Sequence, residues 1–280
     1  MTTHKRIGMS MLLVTAFFMF AGSTNAATIT VNDVENQWDE TEDDSQTLLS
    51  YDTSGATGPN TVLVVFASSG QSNSGSIDGV KFGTADLTQA VQTATTATSN
   101  AYNSIWYLWN PSTTPADIVA SYAGNTFDRN VGAFWLDNVD TSFNPIVQSA
   151  QSGNNTTNNI SMNITLTKDN MAYISQIVNS TDKWVNEQTL TSSVVGALST
   201  TPNWDEFASD DDGRVVSRRI ATVDNAAILT DAWDHPTRSG KAHNALTGIA
   251  FAPIPEPASL ALLGIGGLLA LAGLGRRRSR

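Results

Sequence analysis

Short apolar stretches, separated by residues rich in Ser, Thr, Asn and Gly, run through the middle of the chain. The runs at 61–67 and 104–109 are so continuously apolar or aromatic that they predict strands buried on both faces. Further strands are predicted at 117–123, 130–136, 160–166, 171–178, 214–223 and 246–252. Prolines fall between these runs, where turns or crossovers belong. No window between the two ends keeps a helical period, so the pattern predicts an all-β fold, an antiparallel β-sandwich.

The first 26 residues have the pattern of a secretory signal peptide. Lys5 and Arg6 precede an apolar run over 9–21, and small residues lead up to Ala26. The run is too short and too poorly flanked to be a stable membrane span, so we expect a signal peptidase to cleave after Ala26. An uncleaved N-terminal anchor is the alternative.

The C-terminus has a second apolar segment, and the residues on either side of it predict its orientation in a membrane. Three elements occur in order, a Pro-Glu-Pro triplet, an uncharged segment and an arginine cluster: Pro255, Glu256 and Pro257, then 258–275, then Arg276, Arg277, Arg278 and Arg280. Eighteen helical residues span about 27 Å, just enough to cross a hydrocarbon core. The arginines should stay cytoplasmic, so we expect a single C-terminal transmembrane helix that leaves the body outside the inner membrane.

This order of elements resembles the PEP-CTERM sorting signal of Gram-negative bacteria, and the resemblance covers about a tenth of the chain (255–280). It implies that an exosortase, a membrane transpeptidase-like enzyme, reads the Pro-Glu-Pro triplet while the helix holds the precursor in the inner membrane. Proteins with this signal are typical of bacteria that make exopolysaccharide and biofilm matrix. A plain tail anchor is the alternative, but an anchor has no need for Pro-Glu-Pro ahead of the span.

The body between the two ends, residues 27–254, is long enough for one large all-β domain or two small ones. The whole chain has 15 Lys+Arg and 26 Asp+Glu, a formal net charge of −11, and no cysteine. This acidic balance argues against nucleic-acid binding. The lack of cysteine excludes disulfides, thiolate zinc sites and cysteine nucleophiles, so any site must use oxygen or imidazole groups.

A second resemblance concerns the body itself. Asp78-Gly79 and Gly83 predict a hairpin over 77–83, between the apolar strand at 61–67 and the aromatic strand at 104–109. This order of strands, continued by 117–123 and 130–136, resembles a jelly-roll-like sandwich domain found repeatedly in bacterial exported and surface proteins. The resemblance covers about residues 60–180. It implies a jelly-roll fold and brings no catalytic residues with it.

Four tryptophans among charged or polar neighbours are candidates for an exposed glycan-binding platform: Trp38, Trp184, Trp204 and Trp233. Aromatic faces stack on sugar rings, so a few of them on one sheet face would form a carbohydrate-binding module. Trp135 lies in an apolar run and is expected in the core. Trp106 and Trp109 are three apart, so they should point to opposite faces of a strand.

A candidate calcium site is the aspartate run Asp210, Asp211 and Asp212, which is followed by a glycine. Adjacent aspartates can supply several of the six to eight oxygens that calcium takes, although the spacing is not that of an EF-hand and a solvated acidic loop is the alternative. No other cofactor is expected. His235 and His243 lie in a polar stretch and lack a third ligand for zinc, so exposed loop histidines are the better interpretation.

Hydrolysis of glycans would need two carboxylates across a cleft, one of them with a raised pKa. Asp137 and Asp140 follow Trp135, and Asp205-Glu206 follow Trp204, but ordinary loop acids are the better interpretation, because a chain this acidic places several acids beside a tryptophan by chance. We therefore expect a non-catalytic exported protein of the cell surface or extracellular matrix, with signal peptidase, an exosortase and exopolysaccharide as its partners. A carbohydrate-binding module and a glycan-degrading enzyme are the alternatives.

Overall fold

The computed structural model describes residues 27–39, 43–56, 58–70, 75–95, 101–126, 129–152, 159–179, 189–191, 208–209, 215–223, 228–234 and 244–255. Within these ranges the chain is all-β with antiparallel sheets, as predicted. No helix in this part of the chain is long and apolar enough to cross a membrane. The signal peptide with Ala26, the predicted transmembrane residues 258–275 and the arginine cluster lie outside the described residues. Residues Thr28–Ile254 form one compact unit.

The first half of this unit is a jelly roll. Its strands are β1 (Thr30–Asp39), β2 (Asp43–Tyr51), β3 (Val62–Ser69), β4 (Ile77–Phe82), β5 (Ala85–Asp86), β6 (Thr88–Ala94), β7 (Tyr102–Trp109), β8 (Ala116–Thr126) and β9 (Arg129–Asp137). They form two sheets, with the orders β1-β9-β3-β7-β6 and β2-β8-β4-β5. Because β1 pairs with β9, β2 with β8 and β3 with β7, the chain is one long hairpin rolled into two facing sheets. The predicted jelly-roll-like sandwich is confirmed.

The second half repeats this topology. Its strands are β10 (Ile146–Ser152), β11 (Asn159–Thr165), β12 (Met171–Asn179), β13 (Thr189–Thr191), β14 (Ala208–Ser209), β15 (Val215–Val223), β16 (Ile228–Asp234) and β17 (Asn244–Phe251). The sheet orders are β10-β17-β12-β15-β14 and β11-β16-β13. Again the strands nest, because β10 pairs with β17, β11 with β16 and β12 with β15.

The body predicted over 27–254, for which the sequence left open one large domain or two small ones, contains two jelly rolls, over 30–137 and 146–251. The sequence resemblance covered about residues 60–180, which includes most of the first jelly roll and the first strands of the second. Strands β1 and β2 were missed because they have many acidic and amide side chains and little apolar alternation.

The four sheets stack in four layers. The five-stranded sheets of the two jelly rolls, here called the inner sheets, pack on each other, and the sheets β2-β8-β4-β5 and β11-β16-β13 form the outer layers. Strand β3 is apolar on both faces because each face packs against another sheet. Its Leu63 and Val65 pack toward one outer sheet, while Val64 and Phe66 pack into the interface between the inner sheets. All eight residues of β3 are buried, which confirms the prediction for this strand.

A polar network lies within the interface between the inner sheets. Arg218 on β15 is only 1% exposed, and its Nε donates to Oε1 of Gln176 at 2.5 Å. Its Nη1 and Nη2 donate across the interface to Oδ1 of Asn36, at 2.6 Å, and to Oδ1 of Asn130. The guanidinium carbon also lies 5.1 Å from the centre of the Phe66 ring, a cation–π distance. The two jelly rolls thus share a buried cation whose partners come from both.

Candidate functional site

The end of the second jelly roll runs directly into the Pro-Glu-Pro triplet. After β17 ends at Phe251, Pro253 forms an isolated antiparallel bridge with Val139 in the segment that joins the two jelly rolls. The backbone N–H of Ile254 donates to the carbonyl oxygen of Asn138 at 3.0 Å. The chain therefore stays hydrogen-bonded to the body as far as Ile254. Pro255 is exposed, and Glu256 and Pro257 lie outside the described residues.

Asn138 also binds the N-terminal end of the body. Its side-chain Nδ2 donates to the carbonyl oxygen of Thr28 at 3.0 Å. The residue has φ = 64°, a left-handed conformation that Asn adopts more readily than most residues. Val139 anchors the same segment, since its N–H donates to the carbonyl oxygen of Asn60 at 2.9 Å. Consequently the first and last residues of the body lie close together, because Thr28 and Ile254 both hydrogen-bond to Asn138.

Asp140 belongs to this joining segment as a structural carboxylate. Its Oδ1 accepts hydrogen bonds from the hydroxyl of Ser142 at 2.5 Å and from the backbone N–H of Ser142 at 3.1 Å. Its Oδ2 accepts from Nζ of Lys168 at 3.2 Å, and that ammonium lies 4.3 Å from the Phe143 ring centre. These contacts, with the Ser142 hydroxyl first, lower the pKa of the Asp140 carboxyl. A general acid of a glycosidase needs the opposite shift.

The tryptophan candidates are only partly placed by the structure. Trp233 is 2% exposed in the core between the inner and outer sheets of the second jelly roll, so the expectation that it is exposed is wrong. The cause is strand alternation, because Leu229, Asp231 and Trp233 all face inward on β16 although Asp231 and Asp234 are charged. The side chains of Trp38, Trp184 and Trp204 lie outside the described residues and stay predictions.

The other tryptophans are where the sequence placed them. Trp135 is buried, as predicted. Trp106 and Trp109 point to opposite faces of β7: Trp106 packs toward the outer sheet, and Trp109 packs into the interface between the inner sheets. There the half-buried Trp109 ring meets Phe251 edge-on, with 5.7 Å between the ring centroids. None of these three offers an open face of a stacking platform.

Sequence reasoning missed a group of carboxylates beside β1 and the end of β2. Burial raises the pKa of Asp33 and of Glu35, and in both cases the Asp52 carboxylate adds to the rise. Asp52 itself has a lowered pKa, because the backbone N–H of Ser54 donates to its Oδ1 at 2.7 Å. Burial also raises the pKa of Tyr51, whose hydroxyl donates to the backbone oxygen of Asp33 at 2.5 Å. The i, i+2 spacing of Asp33 and Glu35 was the available signal.

These acids do not form a metal centre. In the part of the chain that the structure describes, no three His, Cys, Asp or Glu side chains are grouped so that they could hold a metal ion. Asp210, Asp211 and Asp212, the predicted calcium ligands, lie outside that part, as do His235 and His243.

A comparison with protein families matches residues 253–279 to the PEP-CTERM protein-sorting motif. The chain carries a PEP-CTERM sorting motif. The prediction from the Pro-Glu-Pro triplet, the apolar segment and the arginine cluster is confirmed, and the protein is an exported protein, anchored transiently in the membrane before an exosortase cleaves it. The match begins at Pro253, between Ala252 and Ile254, whose backbone groups hydrogen-bond to Asp140 and Asn138. No curated protein and no solved structure matches this chain.

Proposed function

We propose that this PEP-CTERM protein is a non-catalytic component of the cell surface or extracellular matrix. One observation supports this proposal most directly: the sorting motif begins at Pro253, whose neighbours Ala252 and Ile254 are hydrogen-bonded to the segment that joins the two jelly rolls. A protein built this way is delivered and presented as one preassembled block. The lowered pKa of Asp140 fits a structural role for this acid and not a catalytic one.

The joined ends suit this delivery. Thr28 and Ile254 both hydrogen-bond to Asn138, so the segments that precede and follow the body leave it at the same place. The signal peptide before Thr28 and the motif's apolar segment after Ile254 would then both join the body next to Asn138. The body can then complete its fold while both ends remain in the inner membrane, and cleavage releases it intact.

The outer sheet of the second jelly roll supports a contact with matrix polysaccharide. Its exposed side chains on β11 are Ser161, Asn163 and Thr165, and Oδ1 of Asn163 accepts a hydrogen bond from the Thr230 hydroxyl at 2.8 Å. This row of hydroxyl and amide groups can bond to sugar hydroxyls, and it has no charge to repel an anionic polymer in an otherwise acidic protein. Exopolysaccharide is therefore the proposed ligand. If it binds, the protein acts as a carbohydrate-binding module within the matrix.

The test is co-sedimentation of the processed protein with the exopolysaccharide of the producing bacterium, with calcium and with a chelator. We expect saturable binding that the double variant Asn163→Ala/Thr165→Ala weakens. Ser121→Ala, which removes an exposed hydroxyl from the other outer sheet, is the matched control and should bind normally. Loss of binding with the chelator would show that the contact depends on calcium, for which Asp210, Asp211 and Asp212 are the predicted ligands. Absence of saturable binding in both conditions would overturn the polysaccharide proposal.

Sorting is tested separately on the full chain. Replacing Pro255, Glu256 and Pro257 by alanine should leave an uncleaved precursor in the membrane fraction of an exosortase-bearing host. Ending the chain at Ile254 should release the body into the periplasm or the medium. A truncated protein that stays bound to the inner membrane would contradict the role of the C-terminal anchor.

A further inference from the structure

The terminal strands of the sheets differ sharply in charge. Acidic residues occur on three of them, at Asp33 and Glu35 of β1, at Asp43 and Asp44 of β2, and at Asp86 of β5. The other five terminal strands, β6, β10, β11, β13 and β14, have no charged residue, and the one that ends the inner sheet of the second jelly roll, β10, reads Ile-Val-Gln-Ser-Ala-Gln-Ser. In a chain with a net charge of −11, this strand is a neutral border on an acidic molecule.

Strand β10 also lacks the other features that block pairing at a sheet edge. A terminal strand presents unpaired N–H and C=O groups, and proteins protect such edges with charges, prolines or bulges. The pairings of β1, β2 and β6 contain register shifts, whereas β11 with β16 and β10 with β17 keep an unbroken register over seven residues. Of these two strands, the one with an exposed large apolar side chain is β10. Its Val147 is 41% exposed, one of the few large apolar side chains on the described surface.

We propose that β10 is a self-association edge that pairs with β10 of a second copy of this chain. In the antiparallel register that uses all seven residues, Ser149 lies opposite Ser149, and Val147 lies opposite Gln151 of the other copy. The inner sheet of the second jelly roll in one copy would then continue into the same sheet of the other copy, which gives a single sheet of ten strands. Such a contact is two-fold symmetric and closes on itself, so it gives a dimer and not a fibre.

Charge favours a second copy as the occupant of this edge. Two molecules of net charge −11 repel each other over most of their surfaces, and the repulsion is smallest where both present an uncharged strand. A second copy brings a strand of the same length, with the same lack of charge and bulges. Delivery by one sorting pathway also places many copies together, which raises their local concentration.

A cysteine substitution tests this geometry directly, because the chain has no cysteine of its own. Ser149→Cys in the full chain, expressed in an exosortase-bearing host, should form a disulfide-linked dimer in the oxidising periplasm, since directly opposite side chains lie within reach of a disulfide. Asp78→Cys, at an exposed residue of β4 in the far outer sheet, is the control and should remain monomeric. Equal dimer yields from the two variants would overturn the proposal.

A charge substitution supplies an independent measurement. Val147→Lys should weaken dimerisation of the processed protein by about tenfold in sedimentation velocity, because each copy contributes one misplaced charge. Val34→Lys is the matched control: Val34 is 38% exposed, but it lies on the acidic strand β1, and its substitution should leave the dimer unchanged. A wild-type protein that stays monomeric, or a dimer that survives Val147→Lys, would show that β10 is not the interface. Neither result depends on polysaccharide, which is absent from both measurements.

Discussion

The carbonyl oxygen of Asn138 accepts a hydrogen bond from the backbone N–H of Ile254 at 3.0 Å, and this contact fixes the place where the sorting motif leaves the body. The same residue reaches Thr28 through its side chain. One residue between the two jelly rolls thus defines the relative position of both ends of the exported block. The sorting motif and the fold are physically continuous at this point.

Asn138 should be hard to replace for two separable reasons. Asn138→Gly keeps the left-handed backbone and loses only the side-chain bond to Thr28, so we expect a loss of about 1 kcal/mol in the free energy of unfolding. Asn138→Ala also places a Cβ in the left-handed region, which should cost about 1 kcal/mol more. Denaturant titration of the processed variants measures both values. Equal stability of the two variants would show that the backbone conformation is not what selects Asn here.

The buried guanidinium of Arg218 should be the most sensitive polar group at the interface between the jelly rolls. Arg218→Met removes the donor to the amide oxygens of Gln176 and Asn130 and one of the two donors to that of Asn36, and we expect a loss of about 3 kcal/mol. Lys81→Met is the control, because the ion pair of Lys81 with Asp86 is exposed and should contribute about 1 kcal/mol at most. Similar denaturation midpoints for the two variants would contradict a structural role for the network.

Gly132 tests the same interface from the other jelly roll. A Cβ at this position would lie 2.4 Å from Nη1 of Arg218, a clash that must displace the hydrogen-bonded guanidinium. Gly132→Ala should therefore lower stability by about 1–3 kcal/mol. Gly79→Ala meets no atom within 4 Å and should be neutral or slightly stabilising. If both alanines behave alike, the close packing of Arg218 against β9 is not what requires a glycine.

The sequence predicts those parts of the fold in which burial fills a strand with apolar residues. Strands β3 and β9 are buried along nearly their whole length, and their residues could be recognised from the run of apolar letters alone. The edge strands β1, β2 and β10 have one side open to solvent and little apolar content, so their pattern resembled a loop. Without these edges, the two repeated jelly rolls could not be distinguished from one.

The candidate site divides in the same way. The sorting motif is a local pattern of consecutive residues, so it could be predicted completely from 255–280. The role of Asn138 depends on contacts with residues 28 and 254, and no local pattern encodes them. Trp233 shows the converse error: the polar neighbours Asp231 and Asp234 suggested exposure, but Asp231 is itself buried, with Oδ2 accepting from the Tyr173 hydroxyl at 2.7 Å.

The carboxylates beside β1 should give the protein a measurable pH dependence. The pKa of Asp33 is raised in the folded state by burial and by Asp52, so the fold disfavours its ionised form. Its contribution to stability is complete below the unfolded pKa and is lost as the pH rises through the folded pKa. Asp33→Asn should therefore stabilise the protein at pH 7 more than at about pH 3, where Asp33 is protonated in both states. Asn also suits the φ of 53° at this residue, but that gain is the same at both pH values. The difference between the two melting-temperature shifts isolates the charge.

Asp52→Asn should have the opposite effect on stability to Asp33→Asn. The pKa of Asp52 is lowered by its hydrogen bonds from Ser54, so its ionised form stabilises the fold above the unfolded pKa, and this contribution is lost as the pH falls through the folded pKa. The asparagine of this variant can still accept this hydrogen bond, but without the charge that strengthens it, so the substitution should lower the melting temperature at pH 7, against a smaller gain from relieved repulsion of Asp33 and Glu35. The two variants should shift the melting temperature in opposite directions at pH 7, and the charge-dependent part of each shift should disappear as the carboxylates are protonated. Shifts of the same sign at pH 7 would mean that repulsion within the group, and not the Ser54 hydrogen bond, governs Asp52.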